Sequence, residues 1–122
     1  MKLNYWLSIE AKNHLHHAIT EILGVESNQS KGDNWLWIVT QNENDQYFDF
    51  INVFVDLLTS RKQKLQEFGI TFADISIWMI YWHDGQCNME FDPERMKKIG
   101  NAGINLCITC YEEYENTKPE LG

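Results

Sequence analysis

The sequence predicts an α+β domain, a mostly antiparallel sheet with its helices packed on one face. Short apolar stretches alternate with period two at 2–10, 35–40, 74–82 and 104–111, as half-buried strands do. Longer stretches at 14–23 and 47–68 repeat with helical spacing, and strands and helices follow each other as β-α-β-α-β-β-α-β without a Pro- or Ser-rich linker. The 122 residues suit a single domain, 1–122, long enough to bury a core without staples.

In the first strand Leu3, Tyr5, Leu7 and Ile9 point one way, and Asn4, Trp6, Ser8 and Glu10 the other. The period then changes: Leu15, Ala18, Ile19, Ile22 and Leu23 form one helical stripe, with Asn13 placed as N-cap and Gly24 as the closing residue. Residues 26–34 are polar and loop-like. Trp35 to Thr40 is β-branched and aromatic, hence a second strand.

Ile51, Val53, Val55 and Leu57 alternate like a strand. Tyr47, Phe50, Ile51, Phe54, Leu57, Leu58, Leu65 and Phe68 fit a helix over a length few strands reach, so 47–68 is predicted as one long helix ended by Gly69. Asp74 to Trp82 is the third strand. Asp84-Gly85 is a hairpin signal leading to a further strand at Gln86–Phe91. Asp92-Pro93 opens a short helix that Gly100 closes, and Ile104 to Tyr111 is the last strand. The polar segment 115–122 is expected to fray.

If helices cover one face only, the other face carries Trp6, then Ser76, Trp78, Ile80 and Trp82, then Asn105, Cys107, Thr109 and Tyr111. Exposed aromatic patches of that size mark contact surfaces.

Asp plus Glu number 18 against 10 Lys plus Arg, a net charge of −8, which argues against nucleic-acid or anionic-membrane partners, since phosphate contacts require cations. Residues 32–60 hold Asp33, Glu43, Asp45, Asp49 and Asp56 with no Lys or Arg, and Glu112, Glu113, Glu115 and Glu120 cluster near the C-terminal end. No apolar run reaches the roughly 20 residues of a membrane span, and residues 1–6 do not read as a secretion signal. Three cysteines, an odd count, point to free thiols in a reducing cytoplasm.

Motifs for chemistry are sparse. Cys107-Ile108-Thr109-Cys110 spells CxxC, but inside a strand residues i and i+3 face opposite ways, and a thiol-lowering helix N-terminus is missing. His14, His17 and Glu21 share one side of the first helix, a spacing a metal could use and an ordinary solvated surface also shows. No nucleophile elbow, P-loop or H-E-x-x-H is present, and the carboxylate pair Glu112-Glu113 has no enclosed setting to raise a pKa. An enzyme is therefore not expected, nor is a cofactor or a metal.

The order Leu23-Gly24, loop, Lys31-Gly32-Asp33-x-Trp35, strand, long helix, strand, Asp92-Pro93-Glu94 helix, strand resembles the bacterial domain-of-unknown-function family 4279 over nearly the whole chain. The resemblance implies a small α+β fold and no established catalytic residues. Lys31-Gly32-Asp33 also reads as a tight turn. In size, charge and lack of a catalytic motif the chain is similar to immunity proteins of bacterial toxin systems such as contact-dependent growth inhibition. That likeness implies a cytoplasmic protein that binds and neutralises one cognate toxin domain, a nuclease by the charge argument, because nuclease clefts are basic.

The partner-binding residues expected on this reading are Trp82, Tyr111, Glu112 and Glu113 on the aromatic face and tail, and Asp33, Glu43, Asp45 and Asp49 in the acidic stretch. Two alternatives stand beside it. One is a small-molecule binder or enzyme using the Lys31–Trp35 loop or the histidine face. The other is a self-assembling domain that buries Trp6, Trp78 and Trp82.

Overall fold

The computed structural model describes residues 2–112. Four strands form one mixed sheet: β1 (Lys2–Glu10), β2 (Asn34–Gln41), β3 (Ile75–His83) and β4 (Asn105–Glu112), in the order β2-β1-β3-β4. β1 runs antiparallel to β2 and β3, and β3 parallel to β4. The parallel pair needs a crossover, supplied by helix α4 (Pro93–Ala102). With α1 (His16–Leu23), α2 (Phe50–Ser60) and α3 (Lys62–Glu67), this makes the α+β architecture read from the sequence.

The core lies between the helices and one face of the sheet. Tyr5, Leu7 and Ile9 of β1, Trp35 of β2, and Ile75 and Ile77 of β3 meet Ile19 and Leu23 of α1 and Phe50, Ile51, Phe54, Val55 and Leu58 of α2. Phe54 is central, with its ring 5.4 Å from Trp37, 5.7 Å from Phe48 and 6.4 Å from Phe50. The polar handles of the two fully buried rings Tyr5 and Trp35 are satisfied: Tyr5 donates to Gln41 Oε1 at 2.9 Å and Trp35 Nε1 to Thr20 Oγ1 at 3.1 Å. Burial, and secondarily Tyr47, pushes the Tyr5 phenol up to about 12, so it stays a neutral donor.

Four local expectations need correction. The strand expected at Gln86–Phe91 is absent, and residues 84–92 run without regular structure. Gly85 does turn the chain (φ 78°), but β1 and β4 occupy both edges of β3, leaving no ladder for a hairpin partner. The long helix is divided at Arg61 (φ −117°, ψ 9°), whose side chain turns to donate to the Ile22 carbonyl at the end of α1. Asn13 does not cap α1. It opens a 3₁₀ turn, Asn13–Leu15, and its side chain donates to the Gly32 carbonyl across the loop. α4 runs past Gly100 and ends at Gly103, whose left-handed φ of 72° is the closing conformation. The Asp92 cap stands as read, accepting from Arg95 N.

α2 and α4 are joined by charge. Arg95 grips Asp49 with two bonds, Nε to Oδ1 at 2.9 Å and Nη2 to Oδ2 at 2.7 Å, and reaches Asp92 with Nη1 at 2.9 Å. Lys98 meets Asp56 at 2.6 Å and Asn52 at 2.8 Å. The guanidinium holds the Asp49 carboxyl down to about 2. A carboxyl depressed below its unfolded value of about 3.9 adds stability that is complete above that pH and is lost as pH falls through the folded value. The melting temperature is therefore expected to fall between about pH 4 and 2, and Arg95→Met to flatten part of that fall. Calorimetry across that range checks it; equal slopes in both proteins would remove the pair from the acid response.

Candidate functional site

Among the described residues, the second face of the sheet carries no helix. Register places its side chains in rows across the strands: Leu36, Ser8, Ser76 and Asn105; Ile38, Trp6, Trp78 and Cys107; Thr40, Asn4, Ile80 and Thr109; and at the end Lys2, Trp82 and Tyr111. This is the parity read from the alternation of the sequence. The Trp6 and Trp78 rings lie 5.9 Å apart, and Trp78 Nε1 donates to Ser76 Oγ at 2.8 Å. Trp82 stacks on Tyr111 at 5.6 Å with 21° between planes, and Lys2 Nζ sits 5.6 Å from the Trp82 ring. The three tryptophans are half-buried and Tyr111 is 51% exposed.

Two polar atoms on this face, Asn4 Oδ1 and Trp6 Nε1, are buried without a hydrogen-bond partner among the described residues. Such a group costs about 1–3 kcal/mol when left unmet. A depression of about 340 Å³ opens beside Trp6, lined by Trp6 and Trp78, by Ser8 and Ser76, and by Glu10 and Asp74. One Asp74 oxygen is already engaged, closing a capping box with Thr71. Glu10 and this depression were not picked out from the sequence; what could have revealed them is that Glu10 shares the outward parity of Trp6.

At the opposite end of the sheet a second depression of about 300 Å³ is lined by Lys2, Leu3, Gln41, Asn42, Glu43 and Asp84. Glu112 ends β4 in register with His83. Of the residues expected to bind a partner, Trp82, Tyr111, Glu112 and Glu43 therefore gather at this end, with Asp45 in the same loop as Glu43, where it accepts from Asn42 N at 2.8 Å. Asp84 joins them, three residues before Cys87.

The other expectations fall elsewhere. Asp33 lies at the far end of β2, about 25 Å away along an eight-residue strand, beside Lys12 at 3.8 Å and accepting from Asn13 N. Asp49 is turned to Arg95, so its charge is neutralised within the fold. Glu113, like Glu115 and Glu120, lies outside the described residues.

The Lys31-Gly32-Asp33 loop forms an exposed turn. Lys31 and Asn34 bridge across it and Gly32 supplies the left-handed φ of 59°. His14 and His17 are exposed, and His16 Nε2 donates to the Ala11 carbonyl at 3.0 Å. No three His, Cys, Asp or Glu side chains converge as a metal site among the described residues. No helix there is long and apolar enough to cross a membrane.

No protein-family model matches the chain, and no curated protein or solved structure matches it. The reading of the site therefore rests on its geometry and charge.

Proposed function

We propose that the chain is an immunity protein, which neutralises a cognate bacterial toxin domain in the cytoplasm by seating it on the helix-free face of the sheet. The observation that carries this reading is the joining of an aromatic row to a carboxylate rim. Trp6, Trp78, Trp82 and Tyr111 cross one face, and Glu43, Asp84 and Glu112 lie at the end of the sheet where the Trp82–Tyr111 stack sits, Glu112 on the opposite parity of β4 from Tyr111. Buried aromatics concentrate binding energy, and carboxylates around them set encounter rate and specificity. With a net charge of −8, the surface complements a basic cleft built to hold phosphates, which is why a nuclease is the favoured partner.

The test is co-expression with a nuclease toxin domain, should one be encoded beside the gene for this chain. Growth is expected to be restored and the two proteins to elute as one complex on gel filtration. Continued killing together with separate elution would overturn the proposal.

The rim adds a kinetic expectation. Glu43→Lys should slow association several-fold at low salt and lessen its salt dependence, with little change in the dissociation rate. Stopped-flow association at two ionic strengths reads this, and unchanged rates at both would remove Glu43 from the steering surface.

A further inference from the structure

Cys87 and Cys110 are 23 positions apart in sequence, yet their sulfurs stand 3.5 Å from each other. Cys87 sits midway along the irregular segment 84–92, and Cys110 lies on β4, at the edge of the sheet. Cys110 is exposed and Cys87 half-buried, so a small reagent reaches the pair from solvent. Cys107, three residues earlier on β4, faces the other side of the sheet, in the row of Trp6 and Trp78, and is kept away from the pair. The CxxC spacing is thus incidental. The contact that matters joins a strand to a loop.

We propose that Cys87 and Cys110 form a reversible thiol–disulfide site, closed by exchange with a small-molecule disulfide of the glutathione class. The Cys110 thiolate, the more accessible, attacks one sulfur of the reagent. A mixed disulfide forms, the reagent's S–S bond breaks, and one small thiolate leaves. The Cys87 thiolate then attacks the Cys110 sulfur, forming the internal bond and releasing the second small thiolate. The two protons lost by the protein thiols end on the two released thiols, so one reagent disulfide is reduced as one protein disulfide forms.

The sulfurs need only approach by about 1.5 Å to reach bonding distance. Burial, with the Cys110 contact, holds the Cys87 thiol above its usual value, so the closing step accelerates as pH rises. The bond would tie the segment bearing Asp84 to the strand bearing Tyr111 and Glu112. It is a property of the chain alone and does not depend on what occupies the sheet face.

The experiment incubates the isolated protein with excess oxidised glutathione and follows free thiols, intact mass and peptide map. The expected product has lost two of three thiols and two hydrogens in mass, joins the Cys87 and Cys110 peptides, and reverts with dithiothreitol. Cys107→Ser is expected to close in the same way. The native fold should accept the bond with a melting temperature raised by about 5 °C or more. Glutathione adducts without the internal bond, a crosslink through Cys107, or a bond that leaves the melting temperature unraised would each overturn the assignment.

Discussion

Phe54→Ala is expected to destabilise the protein by about 3–5 kcal/mol, a large share of the roughly 5–15 kcal/mol that holds a domain of this size together. Phe54 is fully buried on α2, against Trp37 of β2 and the Phe48 and Phe50 rings at the helix start. Its ring links the helix layer to the sheet and the loop after β2 at once. Truncation leaves a cavity between two rigid elements, helix and sheet, which cannot both collapse into it, so the cavity cost adds to the lost transfer free energy. On thermal scans the fall should be on the order of 10 °C or more. Denaturant melts of the wild type and variant check this. A loss under about 1 kcal/mol would mean that the layers around Phe54 are packed more loosely than described.

Trp82→Ala is expected to weaken binding of the toxin domain by about 2 kcal/mol, close to 30-fold, mainly through faster dissociation. The side chain lies on the helix-free face, stacked on Tyr111 and under the Lys2 ammonium, outside the core cluster. Its removal takes away a large preorganised aromatic surface while the helix–sheet core stays intact. The variant should therefore melt within about 1 kcal/mol of wild type, which separates a binding defect from a folding one. Normal affinity in a well-folded variant would remove Trp82 from the interface.

What the sequence disclosed about this molecule was what local periodicity carries. Alternation at Leu3, Tyr5, Leu7 and Ile9 fixed which way Trp6 points, and the same rule separated Trp78 and Trp82 from Ile77. Helical spacing put Phe54 in the core. Features that depend on distant partners were illegible. The strand expected after Asp84-Gly85 fails because β4, a later segment, takes the open edge of β3. The Asp49–Arg95 clamp joins residues 46 apart, and the Cys87–Cys110 contact likewise follows from the crossover through α4. Charge misled in another way. Asp33 and Glu43 belong to one acidic run in sequence, but the extended β2 between them carries them to opposite ends of the sheet.

The central claim is that the partner sits on the helix-free face, and the five tryptophans report on it directly. Trp6, Trp78 and Trp82 lie on that face, whereas Trp35 and Trp37 belong to the helix-covered side, with the Trp35 indole N–H bound to Thr20. Indole N–H resonances of the ¹⁵N-labelled protein, followed during titration with the toxin domain, distinguish the two sets. The Trp6, Trp78 and Trp82 signals are expected to shift while those of Trp35 and Trp37 stay in place. Shifts confined to Trp35 and Trp37, or saturated binding that moves none of the first three, would contradict that claim.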